Sequence, residues 1–100
     1  MPSTVCKTPR EIKYTKTFLK AYKRCKESGR YNMPKVKRVL ELLAYRQDLP
    51  MSYRDHALTG DWAGYRECHL GGDFLLIYQF IGDSVIVAAM LGSHNDCFNQ

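Results

Sequence analysis

No stretch of this 100-residue chain is apolar over anything near the roughly 18 positions a helix needs to cross a bilayer. Its opening, MPSTVCKTPRE, lacks the apolar segment of a secretion signal, so a cytoplasmic location and no membrane partner are expected. No glycine-rich loop runs into a Lys-Ser or Lys-Thr pair, and Gly71-Gly72 stands alone, which excludes the common nucleotide-phosphate cradle. Repeats and low-complexity segments are absent. Cysteine is sparse and scattered: Cys6, Cys25, Cys68 and Cys97 lie too irregularly for a disulfide frame and are expected as reduced thiols. Acidic residues are nearly missing from the first half. Residues 1–46 hold thirteen of the fifteen Lys and Arg but only Glu11, Glu27 and Glu41, a net +10. Residues 47–100 hold two basic and seven acidic residues, a net −5.

That division points to a polyanion-gripping half joined to a half with another task. At 45% hydrophobic and 25% charged, the chain has the make-up of a folded protein rather than a disordered one. One hundred residues suffice for a single core. We therefore expect one domain over residues 10–100, preceded by a loose arm, residues 1–9, broken by Pro2 and Pro9.

Periodicity outlines the fold. Arg10 to Tyr14 fits a short strand. Thr15 or Thr17 can cap a helix in which Phe18, Ala21, Tyr22 and Cys25 recur at helical spacing, and Gly29 supplies its stop. Asn32 can cap a second helix with Pro34 in its first turn, an apolar stripe of Met33, Val36, Leu40 and Leu43, and an end near Gln47. Lys16, Lys20 and Lys23 on the first helix, and Lys35, Lys37 and Arg38 on the second, are expected to point outward, where they can grip a polyanion. Tyr65 to Leu70, Phe74 to Phe80 and Val85 to Leu91 read as strands, and Ser93 to Phe98 as a last helical turn. The fold class is α+β, with two N-terminal helices packed on a mostly antiparallel four-stranded sheet.

All three histidines, His56, His69 and His94, lie in the acidic half. Histidine is the side chain suited to proton transfer near neutral pH. Strand alternation puts His69 on one face with Tyr65 and Glu67, and Cys68 and Leu70 on the other. Zinc bound by Cys68, His69, His94 and Cys97 is disfavoured, because Cys68 and His69 point to opposite faces. No metal or cofactor is expected. Phe98, in a polar tail four residues from His94, suits either a nucleobase or the edge of the core.

The segments YRDHALTGDWAGYRECHLGGDFLLIY (Tyr53 to Tyr78) and LGSHNDCF (Leu91 to Phe98) resemble the YafQ branch of the RelE/ParE toxins. The resemblance is dense from about Leu49 to Phe98, and the helical half matches in layout only. It implies a RelE-like fold and a toxin of a type II toxin–antitoxin system, an endoribonuclease that cuts messenger RNA in the ribosomal A site. It also implies partners: the ribosome, messenger RNA and a small cognate antitoxin with an acidic segment, in a hetero-oligomeric complex. The family's catalytic positions fall on His56, His69, Asp73 and His94, and its C-terminal aromatic falls on Phe98. Gly71-Gly72 departs from the bulkier residue and proline often found in relatives before that acid. Metal-free RNA cleavage needs a base for the 2′-hydroxyl, an acid for the leaving 5′-oxygen, and donors for the phosphorane oxygens. His94 as acid and Asp73 as base is one assignment, with His56 and His69 donating to phosphate or exchanging roles. Arg66 is a further phosphate contact, although parity sets it on the Cys68 face. The alternative is a non-nucleolytic ParE-like inhibitor of gyrase on the same scaffold.

Overall fold

The computed structural model describes residues 8–98. Of the expected arm only Thr8 and Pro9 fall among them. The elements run β1 (Glu11–Tyr14), α1 (Lys16–Ser28), α2 (Met33–Ala44), β2 (His56–Ala57), β3 (Arg66–Gly71), β4 (Phe74–Ile81), β5 (Val85–Ser93) and α3 (His94–Phe98). Single 3₁₀ turns at Met51–Tyr53 and Gly60–Trp62 flank β2.

The helix signals work as expected for α1. The Thr15 hydroxyl accepts from the Phe18 N–H at 2.9 Å, and Gly29 ends the helix at φ 70°, where a side chain would be strained. At α2, Asn32 stands in the capping position with Pro34 behind it, yet its side chain makes no cap bond. The helix ends at Ala44, short of Gln47, because Arg46 takes a left-handed φ of 64°.

The sheet has five strands in the order β1-β5-β4-β3-β2, one more than expected. The additional strand, β2, is two residues long, too short to show any alternation. Strand β1 runs parallel to β5, and the other pairs are antiparallel. Both faces are covered, which explains why β4 reads as nearly continuous apolar sequence. Phe74, Leu76 and Tyr78 face the helices together with Cys68, Leu70 and the buried stripes of α1 and α2. Leu75 and Ile77 face a smaller second core, closed by Leu58, Trp62, Tyr65 and Phe98 from the loops and α3.

A bulge in β5 serves that second core. Ile77 pairs with Met90 while Tyr78 pairs with Ala88, so Ala89 is the extra residue. Ala89 and Met90 consequently both belong to the second core. Cys25, Cys68 and Cys97 are free, buried thiols. No helix among the described residues is long and apolar enough to cross a membrane.

Candidate active site

The second face of the sheet carries the candidate chemistry. On β3, Glu67 and His69 point to the same side, and the register places His56 of β2 directly opposite Glu67. The Glu67 carboxylate, almost fully buried, lies 3.4 Å from His56 Nε2 and 3.3 Å from His69 Nε2. The two imidazole rings stand 6.2 Å apart, tilted by 34°. His56 Nδ1 meets the Arg54 carbonyl at 2.7 Å, so both nitrogens of this ring face oxygen acceptors.

The turn that presents His56 is fixed from the opposite face. Arg66 donates twice to Asp55, at 3.3 and 3.2 Å, and the Tyr78 hydroxyl donates to the same carboxylate. Those hydrogen bonds hold the Arg66 guanidinium above its ordinary pKa, and burial followed by the Asp55 bond pushes the Tyr78 phenol far up. Arg66 therefore sits apart from the histidines, occupied by Asp55. It anchors the turn from the Cys68 side of β3, where strand parity had set it.

His94 begins α3. Ser93 and Asp96 cap that short helix reciprocally: the Asp96 N–H donates to the Ser93 hydroxyl and the Ser93 N–H to the Asp96 carboxylate, each at 3.1 Å. Gly92 makes room for this, since its φ is 148° and a Cβ there would come within 2.9 Å of the Asp96 carboxylate. Asp73, in the β3–β4 turn, accepts the His94 backbone N–H at 3.1 Å. His94 is exposed, and its ring lies 4.8 Å from that of Phe98. Phe98 in turn meets Trp62 edge to face at 6.0 Å. It belongs both to the rim of the second core and to the surface beside His94.

Sequence reasoning named His56, His69, Asp73, His94, Phe98 and Arg66 and missed Glu67. The signal was present, because alternation had already put Glu67 beside His69. Its importance comes from β2, whose pairing brings His56 across to it. His56, Glu67 and His69 each offer a ligand atom within 4.8 Å of the others, a set able to hold a metal ion. The quartet disfavoured from the sequence is not assembled: Cys68 faces the helices, and burial pushes its thiol far up. Cys97 is pushed up to about 12 by burial and then by the Asp96 carboxylate, so it is a poor nucleophile.

Five of the six expected basic residues are exposed. Lys16, Lys20 and Lys23 are exposed along α1, and Lys37 and Arg38 along α2. Lys35 departs from the outward orientation: it is half-buried, with its ammonium 5.8 Å from the centre of the Tyr53 ring, a cation–π position.

Residues 10–99 match the family described as a bacterial toxin of type II toxin–antitoxin systems, YafQ. The chain belongs to the YafQ toxin family. An Escherichia coli K12 member named mRNA interferase toxin YafQ is 33% identical over 90 residues, spanning 89% of this chain and 96% of that one. A Haemophilus influenzae protein bearing the YafQ toxin name is 52% identical over 42 residues, 42% of this chain and 41% of the relative. Among solved structures, YafQ from Escherichia coli BL21(DE3) superposes with a TM-score of 0.82 at 32% identity, covering 89% of this chain and 98% of that one. The Escherichia coli DinJ–YafQ complex gives 0.80 at 33%, with coverages of 89% and 98%. A structure described as a metal-bound toxin from Helicobacter pylori gives 0.81 at 34%, with coverages of 89% and 99%.

Proposed function

We propose that this YafQ-family chain is an endoribonuclease toxin that cuts messenger RNA in the ribosomal A site without a metal ion. The observation that carries this reading is the Glu67 carboxylate set between His56 and His69. The name of the Escherichia coli relative, an mRNA interferase, agrees with it.

The chemistry follows from the geometry. Glu67 polarises His69 through Nε2, leaving Nδ1 to take the proton of the 2′-hydroxyl, the logic by which a carboxylate orients a catalytic histidine. Glu67 replaces Asp73 in the base machinery, because Asp73 is engaged in holding the start of α3. His56, with acceptors at both nitrogens, holds the Glu67 carboxylate in place against His69. Exposed His94 protonates the leaving 5′-oxygen. The contacts to Glu67 are slightly long for hydrogen bonds, and such contacts commonly tighten once substrate binds. The gyrase-inhibitor alternative gives this cluster no task.

The partners follow from the same reading. A cytoplasmic toxin this basic needs an acidic cognate antitoxin to silence it, and the Escherichia coli relative solved with DinJ supports one. The lysines of α1 and α2 meet ribosomal RNA. The test uses programmed ribosomes and analyses product ends. Attack by the 2′-hydroxyl leaves a 2′,3′-cyclic phosphate upstream and a 5′-hydroxyl downstream, and a 2′-methoxy group at the cut site blocks it. A 5′-phosphate on the downstream fragment would overturn the mechanism.

A further inference from the structure

Beside His94 the surface falls into a trench between α1 and α3, floored by β5. At one end, Trp62, Tyr65 and Phe98 line a cleft of about 400 Å³ together with Thr17, Ala89 and Met90. At the other, Lys20, Arg24, Asn95 and Asp96 line a second cleft of about 470 Å³. The two are adjacent, since Thr17 and Met90 line both. Each is within the size range of small-ligand sites.

Three features set what the trench can hold. The first is an unbroken aromatic path from the candidate acid: His94 to Phe98 at 4.8 Å, Phe98 to Trp62 at 6.0 Å, and Trp62 to Tyr65 at 5.3 Å. The contacts of Trp62 with Phe98 and Tyr65 are edge to face, at 83° and 86°, so no two of these rings are stacked face on face. The second is half-burial: Trp62, Tyr65 and Phe98 rest on the second core while still opening to the cleft. The third is charge. Lys20 and Arg24 stand one turn apart on α1, and Lys16 precedes them by another turn on the same side. The acid across the trench, Asp96, turns its carboxylate to the Ser93 N–H.

Aromatic faces followed by cations are the means by which proteins grip single-stranded nucleic acid, bases on the rings and phosphates on the basic side chains. We infer that this trench is a nucleotide subsite next to the cleavage point, holding a neighbouring RNA base on Trp62, Tyr65 and Phe98 and the adjoining phosphate on Lys20 and Arg24. The inference rests on the proposed RNA substrate but not on the assignment of acid and base. It also gives Lys20 a task distinct from contacting ribosomal RNA.

Trp62 is the sole tryptophan of the chain and reports on the trench directly. The probe is a trinucleotide with 2′-methoxy groups throughout, which cannot be cleaved, titrated into the full chain free of antitoxin. Saturable quenching of Trp62 fluorescence is expected. Its affinity should fall with salt, and K20E/R24E should weaken it while flattening the log–log salt slope by about 1.4, two single-strand contacts. Both substitutions are on the exposed face of α1 and leave the core unchanged, and circular dichroism checks this. Absent quenching, or quenching indifferent to K20E/R24E, overturns the subsite. Quenching by the acidic antitoxin segment alone also overturns it, making the trench a protein-docking surface. Because binding is read without cleavage, quenching with no nuclease activity would refute the proposed reaction and leave the subsite standing.

Discussion

Glu67 and His56 face each other across the β2–β3 ladder, joined through a carboxylate that also meets His69. Glu67→Gln keeps the shape of this side chain and removes its charge. The expected result is a loss of roughly 10²–10⁴ in single-turnover cleavage, the usual range for general acid–base machinery, with the fold retained by circular dichroism. Unchanged cleavage would return the base role to Asp73.

The same three groups form a ligand set with nitrogen and carboxylate donors, a combination that suits copper and zinc. A bound ion would occupy the atoms needed for proton transfer. Micromolar Cu²⁺ or Zn²⁺ is therefore expected to inhibit cleavage, with EDTA restoring it and His56→Ala weakening metal binding in calorimetry. Activation by the ion would contradict a metal-free mechanism.

Asp55 holds Arg66 and Tyr78 on the helix side while its neighbour His56 works on the other. Asp55→Ala strands both partners and loosens the turn. A cost of about 1–3 kcal/mol is expected from denaturant unfolding, as for hydrogen bonds to charged groups. Cleavage measured well below the unfolding midpoint should fall as well, because His56 is no longer aimed at Glu67.

Gly92→Ala places a Cβ against the Asp96 carboxylate and demands φ 148° of a residue that resists it. The strain is about 1–3 kcal/mol. The start of α3 should shift and carry His94 and Phe98 with it. Slowed cleavage together with altered Trp62 fluorescence is the expected signature.

Burial sets the alkaline limit of the fold. The Cys97 thiol, 9.0 when free, is pushed up to about 12 in the folded chain, and burial raises Cys25 as well. Above pH 9 the unfolded chain releases protons that the folded chain keeps, so stability falls as pH rises from 9 toward 12. The melting temperature should decline over that window, and less steeply in Cys97→Ala after allowing for its cavity.

The parts of the fold legible in the sequence were those with long periodic patterns. Phe18, Ala21 and Cys25 marked the buried side of α1, and β4 declared itself through an apolar run closed on both faces. The β2 strand was illegible because two residues carry no period, and the β5 bulge because adding Ala89 changes a register that only pairing defines. Each histidine was identifiable as a chemical group. Their assembly depended on β2, and with it the central place of Glu67.

The pairing of β1 with β5 brings Glu11 beside Val85, across nearly three-quarters of the chain. Closing so long a loop is entropically unfavourable until other contacts have formed, whereas β3, β4 and β5 can join through short turns. The histidine-bearing face is thus assembled from local hairpins, and the edge strand docks onto a ribbon that already exists. A chain still emerging from synthesis cannot complete this sheet until β5 is available, which delays the mature toxin relative to its own basic helices.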